Sequence, residues 1–333
     1  MPRLSVLLPC RDAAQYLPEC VASLEAQTFT DFEVIAVDDG SVDSTSALLA
    51  DWARRDARVR VEHANGGGIV AALNRGLTVA RATRIARMDA DDVAHPERFA
   101  LQMRLLDEEP VVGCGTRIRY FPRHVVGRGG LRYERWINSS LRPDEIARDV
   151  FVECPIPHPT LMIRRTVLED AGGYRDRGWP EDYDLVLRLW AAGYALMKVP
   201  RVLLDWREGA NRLSRRDARY GLDAFRRCKL HYLSRTLLRA RRELVICGAG
   251  PVGKSIARAL AERGFHIRAF VDVDPRKLGQ TIHGAPVIDY ASLGGPNGAV
   301  ALAAVAGTAA RERIRATLTG TGWVEMRDFC AVA

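Results

Sequence analysis

Carboxylates at the ends of two apolar stretches are the residues best placed to do chemistry. Asp89 and Asp91 follow the stretch 84–88, and Asp38-Asp39 follows the stretch 32–37. Side chains two residues apart on extended backbone point the same way. One of Asp89 and Asp91 could hold Mg²⁺ or Mn²⁺ while the other meets a ribose or supplies a second metal oxygen. A cation bridging a diphosphate there would neutralise charge on a leaving group.

The segment Asp38-Asp39 runs into Gly40 and Ser41, which can turn tightly. An aspartate at such a point can hydrogen-bond a base N–H or a ribose hydroxyl. The alternative is an Asx turn that only shapes the chain.

The elements that must position these residues alternate along the chain. Buried strands are predicted at 4–8, 32–37, 59–62 and 84–88, with helices at 14–26, 44–54 and 69–80 between them. This alternation predicts an α/β fold with a doubly wound, mostly parallel sheet. Ligands bind beyond the carboxyl ends of such strands, so both acidic turns are expected to face one crevice. The irregular stretch 117–159 allows no element to be placed. A helix is predicted at 182–192 and a basic helical connector at 216–238.

The order and spacing of these motifs resemble the family 2 glycosyltransferases of GT-A fold. The resemblance covers about residues 3–235 and is carried by Ser5–Pro9, Val37–Thr45, Ala72–Gly76 and Ala86–Asp92, with Pro96 and Arg98. It implies an inverting, hexosyltransferase-type enzyme of polysaccharide biosynthesis. Such an enzyme uses a nucleotide-diphosphate sugar and a divalent metal. The acceptor class stays open: a glycan, a lipid-linked molecule or a small molecule.

The resemblance also implies roles for individual residues on the donor side. Pro9 and Asp39 would line the base pocket, with Asp38 beside them. Asp89 would approach the ribose and the metal, and Asp91 would ligate the metal. Two arginines, Arg75 (beside Asn74) and Arg87, would lie near the nucleotide or diphosphate. The sequence departs from many members at Arg11-Asp12, where those carry an aromatic residue followed by Asn.

Inversion at an anomeric carbon needs one carboxylate to accept the acceptor's proton. The segment Glu181-Asp182 supplies candidates at the start of a predicted helix. The resemblance assigns Asp182 as the general base and Glu181 as a neighbouring acceptor contact. The alternative for Asp182 is a helix cap that complements the helix dipole. Asp184 is expected to be structural.

Three further segments match the family. His158, in His158-Pro159-Thr160, would line the pocket or contact phosphate, or else is an ordinary buried histidine. Arg207 or Arg212 would close over the diphosphate as a charge clamp, in a stretch that includes Asn211. Trp179 and Trp206 would stack on sugar faces or lie in the core.

A second domain is predicted at 239–333, after a glycosyltransferase domain at 1–238. The strand 244–247 leads into Gly248, Gly250 and Gly253, a helix to Arg263, and the strand 267–271 that ends at Asp272. This is the context of a dinucleotide-binding turn, with NAD or a nucleotide sugar as candidate ligands. Further strands are predicted at 286–288, 300–305 and 323–327.

This domain carries no Tyr-x-x-x-Lys sequence after its glycine-rich turn, so ligand sensing, scaffolding or oligomerisation is expected rather than redox catalysis. An NAD-linked oxidoreductase and a non-catalytic nucleotide-sugar-binding scaffold remain the alternative functions for the chain.

Composition bounds the partners. The net charge is +8 over 333 residues, and 201–242 holds 13 Lys/Arg against four Asp/Glu. Such a segment attracts phosphates or an anionic membrane surface, or is a solvated face. Seven cysteines without CxxC spacing favour a reducing, cytoplasmic setting. No signal peptide or membrane span is predicted, so any membrane contact would be peripheral. No nucleic-acid-binding motif is present.

Overall fold

The computed structural model describes residues 1–209 and 212–333, and these form two compact units. The first unit comprises Met1–Ile146 and Pro155–Tyr220. The second comprises Ala147–Cys154 and Gly221–Ala333. None of the helices in the described ranges combines the length and the apolar character needed to cross a bilayer.

This division differs from the predicted boundary after residue 238. The basic helix that follows Gly221 belongs to the second unit, and so does the short segment Ala147–Cys154. Lys229 donates from Nζ to the carbonyl of Val152 over 2.9 Å. Arg315 donates to Asp149 over 2.7 Å. A boundary drawn from composition along the chain misses this excursion, because the contacts that define it are distant in sequence.

The first unit is built on one mixed sheet. Its strands are β1 (Leu4–Cys10), β2 (Phe32–Asp38), β3 (Val59–His63), β4 (Arg84–Arg87), β5 (Val93–Ala94), β6 (Gly113–Phe121), β7 (Met162–Arg164) and β8 (Leu196–Arg207). Its helices are α1 (Leu17–Glu25), α2 (Thr45–Arg55), α3 (Ile69–Val79), α4 (Arg98–Glu108), α5 (Arg128–Ile137), α6 (Pro143–Asp149, which runs into the second unit), α7 (Arg165–Asp170), α8 (Glu181–Ala191) and α9 (Leu213–Arg216). The strand order is β3-β2-β1-β4-β7-β6-β8-β5.

The predicted parallel half is confirmed. Strand β1 pairs in parallel with β2 on one side and β4 on the other. In register, Cys10 lies beside Asp38 and Leu7 beside Arg87. All seven residues of β2 are buried, which explains the continuous apolar pattern of a strand covered on both faces.

The predicted helix at 14–26 begins only at Leu17, because the preceding loop is held by another loop. The backbone N–H of Ala13 donates to the Thr45 hydroxyl over 2.8 Å, and that of Ala14 donates to Asp43 over 3.1 Å. Asp12 lies in the left-handed region with a φ of 46° and accepts from the backbone of Val42 over 2.8 Å. The loops that follow β1 and β2 are therefore joined into one frame.

No element was predicted in the stretch 117–159. It contains the last part of β6 and the whole of α5 and α6. Strand β6 begins just before this stretch, with glycines that let distant segments of the same chain approach closely. A Cβ on Gly113 would lie 2.9 Å from the Met162 carbonyl oxygen, and one on Gly115 would lie 3.0 Å from the Thr160 hydroxyl. These glycines serve packing against residues that are distant in sequence.

The predicted connector helix at 216–238 is interrupted. Helix α9 ends at Arg216, a 3-10 turn covers Ala218–Tyr220, and the next helix begins at Leu222. Asp217 accepts a hydrogen bond from the backbone of Arg219 over 2.9 Å, which closes a turn between the two helices.

The second unit has its own sheet, in the order β11-β12-β10-β9-β13-β14. Its elements are α10 (Leu222–Arg235), β9 (Glu243–Cys247), α11 (Pro251–Ala261), β10 (His266–Val271), β11 (Thr281–Ile282), β12 (Ala285–Ile288), β13 (Val300–Ala303), α12 (Thr308–Gly320) and β14 (Phe329–Ala331).

The prediction of a strand at 323–327 is wrong. Residues Val324–Asp328 form a tight turn, in which Asp328 donates from its backbone to Val324 over 2.7 Å and Met326 has a φ of 61°. The strand follows this turn as β14.

Candidate active site

The two acidic turns of the first unit open at the same edge of its sheet. Strands β2 and β4 flank β1 in parallel, so Asp38 and Asp39 at the end of β2 lie on the same side as Asp89 after β4. The Cys10 thiol is affected by acidic residues of both turns. Burial first, and then the charges of Asp38 and Asp89, raise its pKa. The structure thus brings the two turns together, as the parallel strand order requires.

Asp38 shapes its own turn. Its carboxylate accepts hydrogen bonds from the backbone N–H of Ser41 over 3.1 Å and from the hydroxyls of Ser41 and Ser46. Buried carboxylates that accept several such bonds have little capacity left for a ligand. The Asx-turn alternative therefore describes the observed contacts of Asp38.

Asp39 differs because it keeps one oxygen free. Its Oδ2 accepts from the backbone of Gly68 over 2.8 Å and lies 3.6 Å from Arg11 Nη1. Its Oδ1 is buried and finds no hydrogen-bond partner within the described residues. Pro9 lies in β1 beside Val37, next to this turn. A buried acceptor without a partner is costly, and a ligand N–H or hydroxyl would satisfy it.

Asp89, Asp91 and Asp92 form an acidic cluster after β4. Carboxylate oxygens from the three residues all lie within 4.8 Å of one another. Burial and the neighbouring charge of Asp89 raise the pKa of Asp91 to about 6. Burial and the charges of Asp91 and Asp89 raise the pKa of Asp92 well above its ordinary value. Sequence analysis proposed Asp89 and Asp91 as ligands and did not single out Asp92.

Asp92 is fully buried, and its Oδ2 has no hydrogen-bond partner among the described residues. A set of oxygen-only carboxylate donors this close fits a hard divalent cation such as Mg²⁺ or Mn²⁺, which would relieve the repulsion between them.

Arg207 forms hydrogen bonds to two residues of this acidic turn. Its backbone N–H donates to Asp92 over 2.8 Å, and its Nε donates to the backbone carbonyl of Asp91 over 2.6 Å. The same guanidinium pairs with Glu19 and lies 4.4 Å from the ring centre of Tyr16. These contacts occupy the side chain that was predicted to clamp a diphosphate. Arg207 thus contacts the acidic turn directly, through its backbone and its side chain.

Arg212 is a further cation that acts on the acidic cluster. Its charge counteracts the raised pKa of Asp91. Its guanidinium lies 4.5 Å from the Trp206 ring centre, and Trp206 stacks on Tyr120 with ring centres 5.3 Å apart. The neighbouring Asn211, which belongs to the same family-like segment, lies outside the described residues.

Arg87 joins the acidic cluster to the second group of candidate residues. It is 3% exposed and pairs with Asp89. This ion pair outweighs burial and raises the pKa of Arg87, with smaller contributions from Tyr174 and Glu181. The positive charge also acts on Asp182, whose pKa it lowers. One buried guanidinium therefore pairs with a proposed metal ligand and acts electrostatically on the proposed base.

Asp182 has the properties expected of a base near neutral pH. Burial first, and then the like charge of Glu181, raise its pKa to about 7. Its Oδ1 accepts from the backbone of Tyr183 over 2.7 Å at the start of α8. A general base works best when its pKa lies near the working pH.

Glu181 is buried beside Asp182 and held by a residue that the sequence analysis missed. Tyr220 donates from its hydroxyl to Glu181 Oε2 over 2.7 Å. Burial raises the pKa of Glu181, and the Tyr220 hydrogen bond opposes that shift. Tyr220 lies 39 residues away in sequence, so no local pattern indicates this contact.

His158 lines the same group. Its Nδ1 lies 3.7 Å from Glu181 Oε1, and its ring centre lies 5.4 Å from that of Tyr174. Burial and then the charge of Arg87 lower its pKa far below the usual range, so the ring is neutral. Its Nε2 is buried without a hydrogen-bond partner within the described ranges.

Asp184 and Trp179 are joined by a hydrogen bond at the start of α8. Asp184 is fully buried and accepts from Trp179 Nε1 over 2.9 Å and from Arg188 Nε over 2.7 Å. Arg188 donates onward to the carbonyl of Gly173 over 2.8 Å. This network fixes the first turn of α8, which is the structural role expected of Asp184.

Asn74 is hydrogen-bonded to the backbone of another segment, whereas Arg75 forms an ion pair at the surface. Asn74 exchanges two hydrogen bonds of 2.9 Å with the backbone of Tyr174. Arg75 is half exposed and forms hydrogen bonds of 2.7 and 3.1 Å to Glu62. The structure therefore pairs Arg75 on the surface, and its predicted place near the nucleotide has no support in these contacts.

The part of the basic stretch that lies in the first unit, residues 201–220, forms ion pairs within that unit. Arg215 lies 2.8 Å from Glu208, Arg219 lies 2.6 Å from Asp217, and Arg201 pairs with Glu97. Such pairing fits a solvated face better than a free polycation.

The predicted glycine-rich turn of the second unit is formed as expected. A Cβ on Gly253 would lie 1.9 Å from the Gly248 carbonyl oxygen, and Gly248 has a φ of 115°. Gly250 precedes α11 as its cap residue. Asp272 is already engaged: it accepts from the backbone of Ala249 over 2.8 Å and pairs with Lys277 at 2.9 Å.

Comparison with known proteins places these observations. The family model described as glycosyl transferase family 2 matches residues 5–172. The amylovoran biosynthesis glycosyltransferase AmsE of Erwinia amylovora is 31% identical over 208 residues, which cover 62% of this chain and 76% of that protein. The putative glycosyltransferase EpsE of Bacillus subtilis is 28% identical over 259 residues, which cover 72% of this chain and 89% of that protein.

Two solved structures share the fold at low identity. S. aureus TarS 1-349 in complex with UDP-GlcNAc has a TM-score of 0.56 and 18% identity, covering 70% of this chain and 67% of that chain. The mannosyltransferase PcManGT from Pyrobaculum calidifontis, in complex with GDP-Man and Mn²⁺, has a TM-score of 0.51 and 19% identity, covering 78% of this chain and 73% of that chain.

Proposed function

The chain belongs to glycosyl transferase family 2, and on that premise we propose that it transfers a sugar, with inversion, from a nucleotide-diphosphate sugar to an acceptor hydroxyl. One observation carries the proposal. The buried Arg87 pairs with Asp89, in a cluster of carboxylates suited to a cation, and its charge also acts on Asp182, a carboxylate with a pKa of about 7.

The donor would bind across the carboxyl edge of the first sheet. The unpartnered Oδ1 of Asp39 would accept a hydrogen bond from the base or the ribose. Asp89, Asp91 and Asp92 would hold Mg²⁺ or Mn²⁺, which supplies charge neutralisation for the diphosphate. Arg212, stacked on Trp206, would meet the same phosphates.

Asp182 would take the proton of the acceptor hydroxyl. The acceptor oxygen then forms a bond to the anomeric carbon as the bond from that carbon to the diphosphate oxygen breaks. The nucleoside diphosphate leaves with the bonding electron pair from the opposite face, which inverts the centre. Glu181, fixed by Tyr220, would orient the acceptor through its second oxygen.

The substrates follow by analogy and are part of the proposal. UDP-GlcNAc and GDP-mannose are the first donors to test, because structural neighbours were solved with them. AmsE acts in amylovoran biosynthesis, which favours a growing polysaccharide or lipid-linked glycan as acceptor. Seven buried cysteines that form no disulfide favour a reducing compartment such as the cytoplasm.

A donor screen followed by turnover tests this function. Nucleotide sugars are first ranked by thermal shift with and without Mn²⁺, since a ligand that binds the folded state raises its melting temperature. The best donor is then incubated with candidate acceptors. Release of nucleoside diphosphate that requires both Mn²⁺ and Asp182 supports the proposal. Equal release by the Asp182→Asn variant refutes the assignment of the base.

A further inference from the structure

The second unit contains a cavity of about 210 Å³ at the carboxyl edge of its sheet. Its floor comes from residues at or just after the ends of four strands: Gly248 after β9, Val271 at the end of β10, Tyr290 after β12 and Val305 after β13. Strands β10 and β13 lie on opposite sides of β9. The cavity therefore lies where the strand order reverses, which is where doubly wound sheets bind ligands.

One face of a helix forms the wall of this cavity. Ala310, Arg313, Ile314 and Thr317 of α12 all line it. These positions follow the spacing i, i+3, i+4 and i+7, so their side chains share one side of the helix. The wall is apolar at two positions and carries a cation and a hydroxyl at the other two.

The charges of the lining favour an anion. Asp272 and Arg313 are the charged residues among those that line the cavity. Asp272 is neutralised by Lys277, whose ammonium lies 2.9 Å from its Oδ2. Arg313 is exposed and has no acidic partner within the described residues. An unbalanced positive charge is therefore left at the cavity.

The rest of the lining favours a flat apolar group. Val271, Val305 and Ile314 surround the space beside the Tyr290 ring. Val273 also lines the cavity although it is 80% exposed, so an apolar surface is left open to water at the rim. Covering such a surface with a ring system is favourable.

We propose that the second unit binds a nucleoside diphosphate group, with the base and sugar in this cavity and the phosphates at the turn Gly248–Gly253 and Arg313. The turn leads into α11, whose amino end has no side-chain cap and favours negative charge. The cavity is smaller than the roughly 300–1,000 Å³ typical of drug-sized ligands. It takes one nucleoside, and any second group on the diphosphate extends outward.

This site needs no divalent cation, unlike the donor site proposed for the first unit. The acidic cluster found within the described residues lies in the first unit, and the cavity has its own cation in Arg313. Binding at the second unit is therefore independent of metal, which separates the two sites experimentally.

The test is calorimetric titration of the full chain in EDTA, in an Asp91→Asn background that disables the proposed donor site. The probes are UDP, ADP, GDP, the matching nucleotide sugars and NAD. We expect at least one probe to bind with one site per chain. Binding of nucleotide sugars or of NAD identifies which source of the diphosphate the cavity accepts.

Two variants locate this binding. Arg313→Glu should weaken it at least tenfold, and Ala310→Phe, which fills the cavity, should remove it. Arg263→Glu is the matched control. It makes the same charge change on an exposed residue beyond the far end of α11, near the start of β10, and should leave affinity within twofold. Melting curves check that each variant is folded.

Two results would overturn the proposal: no probe binding in EDTA at millimolar concentration, or affinity unchanged in both Arg313→Glu and Ala310→Phe. Neither depends on transfer activity. The inference and the glycosyltransferase mechanism can therefore fail separately.

Discussion

Replacing Glu181 by glutamine should move the acid limb of the pH–rate profile to lower pH. Burial and the like charge of Glu181 together raise the pKa of Asp182 to about 7. A general base must be ionised, so the wild-type rate falls as the pH drops through about 7. The variant keeps the burial and removes the neighbouring charge. The pKa of Asp182 therefore falls, and the base stays ionised at lower pH.

The size of the shift follows from the causes of the raised pKa. The pKa of Asp182 rises from 3.8 to about 7, and burial is a larger cause than the charge of Glu181, so that charge accounts for the smaller part of the rise. A shift of about one unit is therefore expected. At pH 6 the rate should rise from about one tenth to about one half of its plateau.

The assay is the transfer rate at saturating donor, acceptor and Mn²⁺ from pH 5 to 8.5. Saturating Mn²⁺ is used so that the bound cation keeps Asp91 ionised over this range. The plateau of Glu181→Gln is expected to fall, because Glu181 is a proposed acceptor contact, so the position of the limb is the readout. Asp176→Asn is the control. It removes an acid that lies 3.5 Å from Arg219 at the edge of the same site and should leave the limb in place. A limb that stays at the wild-type pH in Glu181→Gln refutes the reasoning.

Three further outcomes are expected. Asp91→Asn should lower metal-dependent transfer more than 100-fold while leaving the metal-free melting temperature unchanged or higher, because ionised Asp91 is disfavoured by burial and by Asp89; a large loss of stability would contradict this. Arg207→Ala should cost about 1–3 kcal/mol in urea unfolding and raise the Mn²⁺ concentration for half activity, because the bond to the Asp91 carbonyl is lost. Arg75→Ala should change the donor KM less than twofold, since its partner is the surface residue Glu62; a tenfold rise would return Arg75 to the donor site.

The parts of the fold that could be predicted are those set by local pattern. Asp39 and Asp89 each follow a buried apolar run, and parallel strands separated by helices must end at one edge. That reasoning needs no knowledge of distant contacts. It predicts that the two acidic turns meet at one edge of the sheet. The glycine-rich turn of the second unit was equally readable, because Gly248 and Gly253 are required by the close approach of its own backbone.

The parts that could not be predicted depend on contacts between distant residues. Arg207 donates a hydrogen bond to the carbonyl of Asp91, 116 residues away, and no local pattern indicates this contact. The Tyr220 hydroxyl that holds Glu181 has no signature in sequence. The assignment of Asp182 at the start of α8 came from the ordered set of family motifs, since local sequence alone favoured a helix cap.

The most direct test of the central claim separates donor binding from proton transfer. Metal-dependent binding of the donor, measured as the difference between titrations with Mn²⁺ and with EDTA, is compared in Asp182→Asn and Asp91→Asn. The proposed mechanism predicts that Asp182→Asn binds donor with Mn²⁺ as the wild type does and fails to transfer. Asp91→Asn should lose the metal-dependent binding itself. Normal transfer by Asp182→Asn, or unchanged metal-dependent binding in Asp91→Asn, would contradict it.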